Sequence, residues 1–340
     1  MATIKELSLK CGVSVSTVSK ALNGYHDISE TTRELVIKTA KEMGYFPDAN
    51  ARALKLKKTY NLGVLYEDAS SQGLRNEFFA HILASFKEVA SKEGYDITFI
   101  EHEFGKRQMS YLEHCRNRNF DGICIACADY EDAEVKELVD SSFPVVTIDR
   151  SFAKTVAIFS DNLGGMKELV QYAIDQGHQR IAYISGSEAV VTDLRKKAFL
   201  ETMSENGIPV RSEYFLVGVY RNPKESEMIT YRLLELPEPP TCILASDDYS
   251  AFGVMNAVIR KGLKVPDDVS VAGYDGITVA QSLEPCLTTV RQDADQIGAE
   301  AAKQLINLIE NPKNYQSEDI CLRAQLVKGG TVRKLDMLMG

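Results

Sequence analysis

The sequence predicts an N-terminal all-α head followed by an α/β core of two doubly wound, parallel-sheet subdomains. Residues 3–23 carry two helix starts separated by a glycine, which is the spacing of a helix-turn-helix. From Asn61 onward, short apolar runs alternate with amphipathic stretches, as in βαβ units with parallel strands. Because this alternation continues to about residue 292, which is long for a single sheet, we expect two sheets.

The first helix is predicted from its two ends. Thr3 and Glu6 have the S/T-x-x-E spacing of a capping box, in which each side chain accepts a hydrogen bond from the other residue's main-chain N–H. Gly12 then supplies a tight turn, because glycine adopts positive φ at little cost. The apolar side of this helix is expected to comprise Ile4, Leu7 and either Leu9 or Cys11.

A second short helix is predicted to begin after Ser14, whose hydroxyl can cap it. Its outward side chains are small, uncharged or basic, which suits an element that approaches DNA closely. An ordinary αα-hairpin would show the same local pattern, so the rest of the chain decides between the two. The side chains expected on this outward surface are Val15, Ser16, Thr17, Ser19 and Lys20.

A third helix is predicted to begin after Ser29 and to end at Gly44, and Pro47 prevents its continuation. Residues 48–59 then combine high helix propensity with no apolar core of their own. We expect them to fold only against a second copy of the chain and DNA. A solvated linker is the alternative. The apolar stripe of the third helix is predicted from Leu35, Val36, Ala40 and Met43.

Charge is distributed unevenly along the chain. The net charge is −9, but residues 1–60 hold ten Lys/Arg against six Asp/Glu and therefore carry +4. The remaining residues hold 29 Lys/Arg against 42 Asp/Glu. Charges further apart than roughly 8 Å are largely screened at physiological salt. A basic head can therefore meet phosphate even though the whole chain is acidic.

The seven cysteines are scattered and odd in number. Cys124 and Cys127 form a C-x-x-C, but they lie in an apolar strand-like run with no second pair nearby, which favours reduced core thiols over a metal or redox site. No run of about twenty apolar residues and no signal-peptide core are present. We therefore expect a cytoplasmic protein without a membrane partner.

The core is expected to switch from one subdomain to the other near residue 160, and its tail to contribute a long helix and one strand, CLRAQ. Ligands of such folds bind beyond the carboxyl ends of the strands. The expected division is a head at 1–47, a hinge at 48–59, a first subdomain at 60–160 plus 292–320, and a second at 161–291 plus 321–340.

No catalytic motif is present. The sequence lacks a phosphate-binding loop, a dinucleotide-binding glycine pattern, a zinc-protease helix and a nucleophile elbow. We therefore expect no enzyme activity, cofactor or metal. Aspartates do follow several predicted strands. Each of them alone could cap a helix, but together they indicate a polar cleft.

The chain resembles the lactose repressor family (LacI/GalR-type transcriptional regulators) over nearly its whole length. The resemblance rests on the head, TIKELSLKCGVSVSTVSKALNG, and on the core phrases GHQRIAYISG, ASDDYSAFG and GLKVPDDVSVAGYDG, which occur in the family's order. It implies a DNA-binding head joined by a hinge helix to a periplasmic-binding-protein-like core, which dimerises and binds a small effector.

The resemblance also implies which residues meet DNA. It places Val15, Ser16 and Lys20 at base-reading positions of the second helix. Leu54 would be the hinge wedge, with Lys55 beside it. Val15 has no hydrogen-bonding group, so it could read a base only by apolar contact, such as with a thymine methyl. The residues expected near phosphates are Thr3, Ser14, Thr17, Ser19 and Asn23.

The same resemblance implies an effector pocket of aromatic, acidic and basic residues. Aspartates accept hydrogen bonds from hydroxyls, arginine donates through a planar fork, and aromatic rings stack on a sugar. Purine-responsive members have an arginine and a threonine where this chain has Ala189 and Val191, which favours a sugar or glycoside. The implied residues are Phe78, Phe79, Asp149, Arg195, Tyr220, Asp248 and Asp275.

The function expected from these observations is sequence-specific regulation of transcription, as a repressor. A dimer would bind a pseudopalindromic operator, and a small effector in the cleft would control its affinity. A solute-binding protein of the same core fold, a sugar-modifying enzyme and a family regulator controlled by a phosphoprotein corepressor are the alternatives. The missing signal peptide and the basic head disfavour the solute-binding protein, and the missing acid/base motif disfavours the enzyme.

Overall fold

The structure, a computed structural model, describes residues 2–46, 58–67, 73–312 and 318–335. The chain divides into two units, Met1–Tyr60 and Asn61–Gly340. The predicted hinge contacts of Leu54 and Lys55 lie outside the described residues.

The described residues of the first unit form three helices around a small apolar core. The structure confirms the predicted helix ends. These are the capping box of Thr3 and Glu6, the left-handed turn at Gly12 (φ 65°) and the hydroxyl caps of Ser14 and Ser29. The helices are α1 (Ile4–Cys11), α2 (Val15–Leu22) and α3 (Glu30–Met43). Their fully or nearly buried core residues are Leu7, Cys11, Val18, Ala21, Val36 and Ala40.

Two details of the predicted head core are resolved by the helix geometry. Of the two alternatives in α1, Cys11 is buried and Leu9 is 81% exposed. The prediction that Leu35 belongs to the core is wrong, because Leu35 is 47% exposed while the next residue, Val36, faces the core. A helix buries only one stripe, so adjacent residues cannot both point inward fully.

The second unit contains two six-stranded sheets, which are the two predicted subdomains. All neighbouring strands of the first sheet are parallel. A short antiparallel hairpin, β3 (Glu103–Phe104) and β4 (Arg107–Gln108), stands apart from it. In spatial order the first sheet comprises β13 (Ile320–Leu322), β7 (Val156–Ser160), β6 (Val145–Ile148), β5 (Gly122–Cys127), β1 (Asn61–Tyr66) and β2 (Asp96–Phe99).

The second sheet is parallel except for its antiparallel edge strand. The two strands at 181–185 and 242–245, in the interior of the sheet, are buried at every position. Burial on both faces explains their largely apolar sequences. In spatial order it comprises β14 (Gln325–Val327), β12 (Thr288–Arg291), β11 (Ser270–Asp275), β10 (Cys242–Ala245), β8 (Ile181–Ser185) and β9 (Phe215–Val217).

Helices connect the strands of both sheets. Those of the first subdomain are α4 (Glu77–Lys92), α5 (Tyr111–Arg118), α6 (Ala133–Asp140) and α12 (Ala294–Glu310). Those of the second are α7 (Asn162–Asp175), α8 (Val190–Glu205), α9 (Pro223–Leu234), α10 (Asp248–Arg260) and the short α11 (Thr278–Gln281).

The chain crosses between the sheets three times. It leaves the first sheet after Ser160, returns after Arg291 and leaves again after Leu322. The prediction that CLRAQ forms one strand is wrong. This segment contributes β13 to the first sheet and the start of β14 to the second, and Arg323 and Ala324 lie between them. Connecting segments of this kind are the type of hinge about which two subdomains can rotate.

The cysteines behave as core or surface residues. All seven are free thiols, and Cys124 is fully buried in β5 while Cys127 at its end is half-buried. Burial raises the pKa of Cys124 to about 12. A thiol with so high a pKa is neutral and unreactive at neutral pH, as expected for a structural C-x-x-C.

Candidate functional site

The outward surface of α2 begins with exposed side chains of Val15 and Ser16. Two of the neighbouring hydroxyls are already used by the helix cap. Ser14 Oγ accepts from the Thr17 N–H at 3.1 Å and lies 2.9 Å from Thr17 Oγ1. Asn23 Nδ2 donates to the Ser19 main-chain oxygen at 2.6 Å. These bonds fix the shape of the surface.

The remaining predicted DNA contacts in the head also have intramolecular partners. Thr3 accepts from the Glu6 N–H at 3.3 Å, and its own N–H donates to Glu6 Oε2 at 2.7 Å. The ammonium group of Lys20 is hydrogen-bonded to the carboxylate of Asp27. Lys20 is therefore a charged group with a competing acceptor inside the head.

In the second unit, the aromatic residues predicted at the cleft come together. The ring centroid of Phe79 lies 5.2 Å from that of Tyr66 and 5.3 Å from that of Phe78. Tyr66 ends β1, and the two phenylalanines lie in the first turn of α4. The cluster therefore stands beyond the carboxyl end of a central strand, where ligands of such sheets bind.

Asp149 follows directly after β6 in a left-handed conformation (φ 65°). Its N–H donates to the Ile158 oxygen at 3.0 Å, which fixes the turn. Its Oδ1 atom is buried and has no hydrogen-bond partner among the described residues. Burial raises the pKa of Asp149 to about 6, while the positive charge of Arg195 in the other subdomain opposes that rise. The two side chains therefore act on each other electrostatically across the cleft.

Arg195 is 4% exposed and is already held within the second subdomain. Its Nε donates to Asn162 Oδ1 at 2.8 Å and its Nη1 to the Ser246 oxygen at 3.0 Å. Its Cζ lies 3.6 Å from the ring centroid of Tyr274. These contacts orient the guanidinium rigidly.

Tyr220 is positioned by its hydroxyl, which lies 2.8 Å from Thr192 Oγ1. Gly186 makes room for the ring, because a Cβ atom there would lie 2.1 Å from Tyr220 Cε2. The next residue, Arg221, places its Cζ 5.8 Å from the Phe79 ring and 5.9 Å from the Tyr220 ring. Arg221 thus links the aromatic groups of the two subdomains.

Asp275 ends β11 and accepts from Gln292 Nε2 at 2.7 Å. Burial raises its pKa to about 7, although the charge of Arg195 opposes the rise. Asp275 and Gln292 line a cavity of about 500 Å³ that also includes Phe78. A cavity of this size is within the range of small-molecule sites.

Asp248, a predicted effector contact, is hydrogen-bonded within the second subdomain through both carboxylate oxygens. Its Oδ2 atom accepts from the N–H groups of Gly276 and Ile277, both at 2.8 Å, and its Oδ1 atom accepts from Thr289 Oγ1 at 2.6 Å. The residue is fully buried. Asp248 therefore supports the loop after Asp275 and has its acceptor oxygens occupied.

Asn76 is a further candidate site residue, which its sequence context does not indicate. It is the N-cap of α4, yet its side chain makes no capping bond. Asn76 is 1% exposed, and neither Oδ1 nor Nδ2 has a hydrogen-bond partner among the described residues. Beside it, Glu77 Oε1 accepts from the Thr278 N–H at 2.5 Å, which joins the two subdomains. An asparagine before a helix normally indicates a cap. The sequence therefore does not predict that this amide lacks a capping bond.

Two classes of site find no support in the described parts of the chain. No group of three or more His, Cys, Asp or Glu side chains there could hold a metal ion. The described helices include none that combines the length and apolar character needed to span a bilayer.

Comparisons with known proteins agree with this architecture. Residues 3–48 match the model for bacterial regulatory proteins of the lacI family, and residues 170–332 match a periplasmic binding protein-like domain. The chain is 31% identical over 339 residues to the probable HTH-type transcriptional repressor ExuR of Bacillus subtilis (strain 168). The aligned region covers 98% of this chain and 99% of that protein.

A second relative and one solved structure extend the match. The HTH-type transcriptional repressor PurR of Vibrio parahaemolyticus serotype O3:K6 (strain RIMD 2210633) is 30% identical over 344 residues, or 99% of this chain and 100% of that protein. The crystal structure of the Lac repressor dimer bound to operator and the anti-inducer ONPF matches with a TM-score of 0.81 at 25% identity, covering 98% of this chain and 99% of that one. The chain therefore belongs to the lacI family of bacterial regulatory proteins, which are transcriptional repressors and not enzymes.

Proposed function

We propose that this repressor binds a pseudopalindromic operator as a homodimer in the cytoplasm, and that a sugar or related polyol in the cleft controls its operator affinity. The observation that carries the effector proposal is that two buried polar groups, the Asn76 amide and Asp149 Oδ1, have no hydrogen-bond partner among the described residues. Buried polar groups are nearly always hydrogen-bonded. Ligand hydroxyls, which donate and accept, would satisfy both.

The remaining cleft residues suit the same class of ligand. Asp275 can accept from a hydroxyl, and the rings of Phe79 and Tyr220 can stack on the apolar face of a sugar. Ala189 and Val191 offer no side-chain hydrogen bond to a purine ring. We therefore favour a polyol over the purine that the name of the PurR relative suggests. Arg195 would donate through the part of its guanidinium not used by Asn162 and Ser246.

For DNA, we propose that Val15, Ser16 and Lys20 read base edges from α2 and that the hydroxyls and amide around them approach phosphates. This proposal rests on the exposed, mostly uncharged start of that helix and on the capped, fixed conformation of its first turn. One such helix reads only a few base pairs, so two copies are needed for a specific site. Residues 48–59 would form the hinge, with Leu54 as a wedge in the minor groove and Lys55 beside it.

The proposed homodimer has a candidate surface in the second subdomain. Met228 on α9 is 57% exposed and Ile259 on α10 is 59% exposed. The two helices are adjacent there, because Arg260 Nη1 bonds Glu227 Oε1 at 2.7 Å. In the proposed dimer these two side chains would be covered by the partner subunit. The solved Lac repressor is named as a dimer, which supports the same state here.

The experiment that tests this function is selection of binding sites from random DNA with the full chain. A dimeric repressor should enrich two inverted half-sites. Analytical ultracentrifugation of the complex should give two chains per duplex. The corepressor alternative is tested by measuring operator affinity with a phosphoprotein fraction added instead of a sugar. Enrichment of a single half-site by a monomer would contradict the dimer proposal.

A further inference from the structure

The loop between α2 and α3 is fixed at several points. The Tyr25 N–H donates to the Lys20 oxygen at 3.1 Å. Arg33 Nη2 donates to the Tyr25 oxygen at 2.9 Å. Ser29, two residues after Asp27, is the N-cap of α3. Asp27 therefore lies in a short segment whose main chain is anchored on both sides.

This fixed loop presents the Asp27 carboxylate to the ammonium group of Lys20. The Lys20 side chain is 43% exposed and the Asp27 side chain is 54% exposed. Exposed ion pairs contribute little to stability, because water competes for both charges. The pair therefore adds little to folding stability, but Lys20 has to give up this partner before its ammonium group can move out to a phosphate of DNA. A function in stability does not explain why a fixed loop carries this carboxylate beside a DNA-facing lysine.

We propose that Asp27 is a specificity-determining residue that masks Lys20 from non-specific phosphate contacts. The inference rests on the proposed DNA-binding role of α2. On DNA of arbitrary sequence, Lys20 remains paired and adds little to the counterion-release term that drives non-specific binding. On the operator, the ammonium group donates one N–H to a well-placed base acceptor such as guanine O6 or N7 and a second N–H to Asp27, so the pair is kept and removing Asp27 has little effect there. Asp27 thus lowers non-specific affinity more than operator affinity.

The test compares Asp27→Asn with Glu34→Gln in the full chain. Glu34 is an exposed residue of α3, and its replacement changes the head charge by the same amount. Fluorescence anisotropy would measure binding to a selected operator and to scrambled DNA over a salt series. We expect Asp27→Asn to raise non-specific affinity about 3- to 10-fold at low salt and to steepen the log–log salt slope by about one. Operator affinity should change less than about twofold, and Glu34→Gln should have a much smaller effect on both DNAs.

Two results would overturn the proposal. Equal effects of Asp27→Asn and Glu34→Gln would show that only net charge matters. A larger loss on the operator than on scrambled DNA would show that Asp27 positions Lys20 instead of masking it. The double variant Lys20→Ala/Asp27→Asn adds a third check, because Asp27→Asn must have no larger effect than Glu34→Gln once Lys20 is absent. Failure of the unaltered chain to bind any selected DNA would instead contradict the proposed function, while leaving this comparison unused.

Discussion

The main-chain N–H of Thr278 donates to Glu77 Oε1 at 2.5 Å and so connects the first turns of two helices from different subdomains. Glu77 is flanked by the unpartnered amide of Asn76 and by the aromatic side chain of Phe78. The contact therefore closes the cleft beside the groups proposed to hold the effector. Movement of one subdomain relative to the other has to break or form it, so this bond reports the state of the cleft.

Removing the Glu77 carboxylate should favour the open cleft. We expect Glu77→Ala to weaken effector binding about 3- to 30-fold, because one charge-assisted hydrogen bond that stabilises closure is lost. Calorimetry measures the affinity, and small-angle X-ray scattering should show a larger radius of gyration without effector. Glu88→Ala is the control, since Glu88 lies on the same helix and pairs only with Lys92 among its described contacts. If both variants bind equally, the Glu77 contact does not control closure.

The Asn76 amide should contribute to ligand binding but not to stability. Asn76→Leu removes a buried amide that has no partner among the described residues, so thermal unfolding without effector should not occur at a lower temperature. Effector affinity should fall by about 1–3 kcal/mol if a ligand hydroxyl bonds this amide. Asn162→Leu is the contrasting variant, because that amide bonds Arg195 and Ser160, and it should destabilise the core. An Asn76→Leu variant with unchanged sugar affinity would remove Asn76 from the site.

Effector binding should depend on pH through Asp275. Its pKa is raised to about 7 by burial, and a hydroxyl donates a stronger hydrogen bond to the ionised carboxylate than to the neutral acid. Protons and effector then compete, so affinity should fall as the pH drops below about 7, and binding should release a proton there. Calorimetry in two buffers of different ionisation enthalpy measures the release. Asp275→Asn should bind more weakly with a flatter pH profile, whereas affinity that increases toward low pH would contradict this role.

Acid should destabilise the core through His178. Its Nδ1 lies 3.0 Å from Thr241 Oγ1 and its Nε2 3.1 Å from the Arg333 oxygen, and burial lowers its pKa to about 4. An unfolded histidine titrates near 6.5. The unfolded state therefore binds more protons between about pH 6.5 and 4, and stability should decline over that window as the pH falls. Urea unfolding across this range measures it, and His178→Gln should show a shallower decline.

The sequence alone could predict local structure and the order of the elements. Helix ends follow from Thr3, Gly12, Ser14 and Ser29, whose effects act over one turn. Buried strands follow from apolar runs. It could not separate Leu9 from Cys11 as the inward residue of α1, since both fit a helical stripe over so short a segment.

The features that the sequence could not predict depend on contacts between residues that are distant in the chain or joined by a loop. Asp149, Asp248 and Asp275 all lie near the ends of strands in the sequence. Asp248 differs from the other two because its carboxylate accepts hydrogen bonds from Gly276, Ile277 and Thr289. Lys20 has an acidic partner seven residues away, and such a pairing depends on the loop conformation. The division of CLRAQ between two sheets depends on the three crossings, which local patterns do not encode.

The most direct test of effector control is the operator affinity of the full chain, measured by fluorescence anisotropy with and without each sugar of a panel. We predict that at least one sugar changes the dissociation constant tenfold or more, which corresponds to about 1.4 kcal/mol of coupling. The same sugar should have a much smaller effect on Asp275→Asn, whose operator affinity without sugar should match that of the unaltered chain. An operator affinity that no sugar alters, but that a purine base alters in the unaltered chain and not in Asp275→Asn, would contradict the sugar-controlled account.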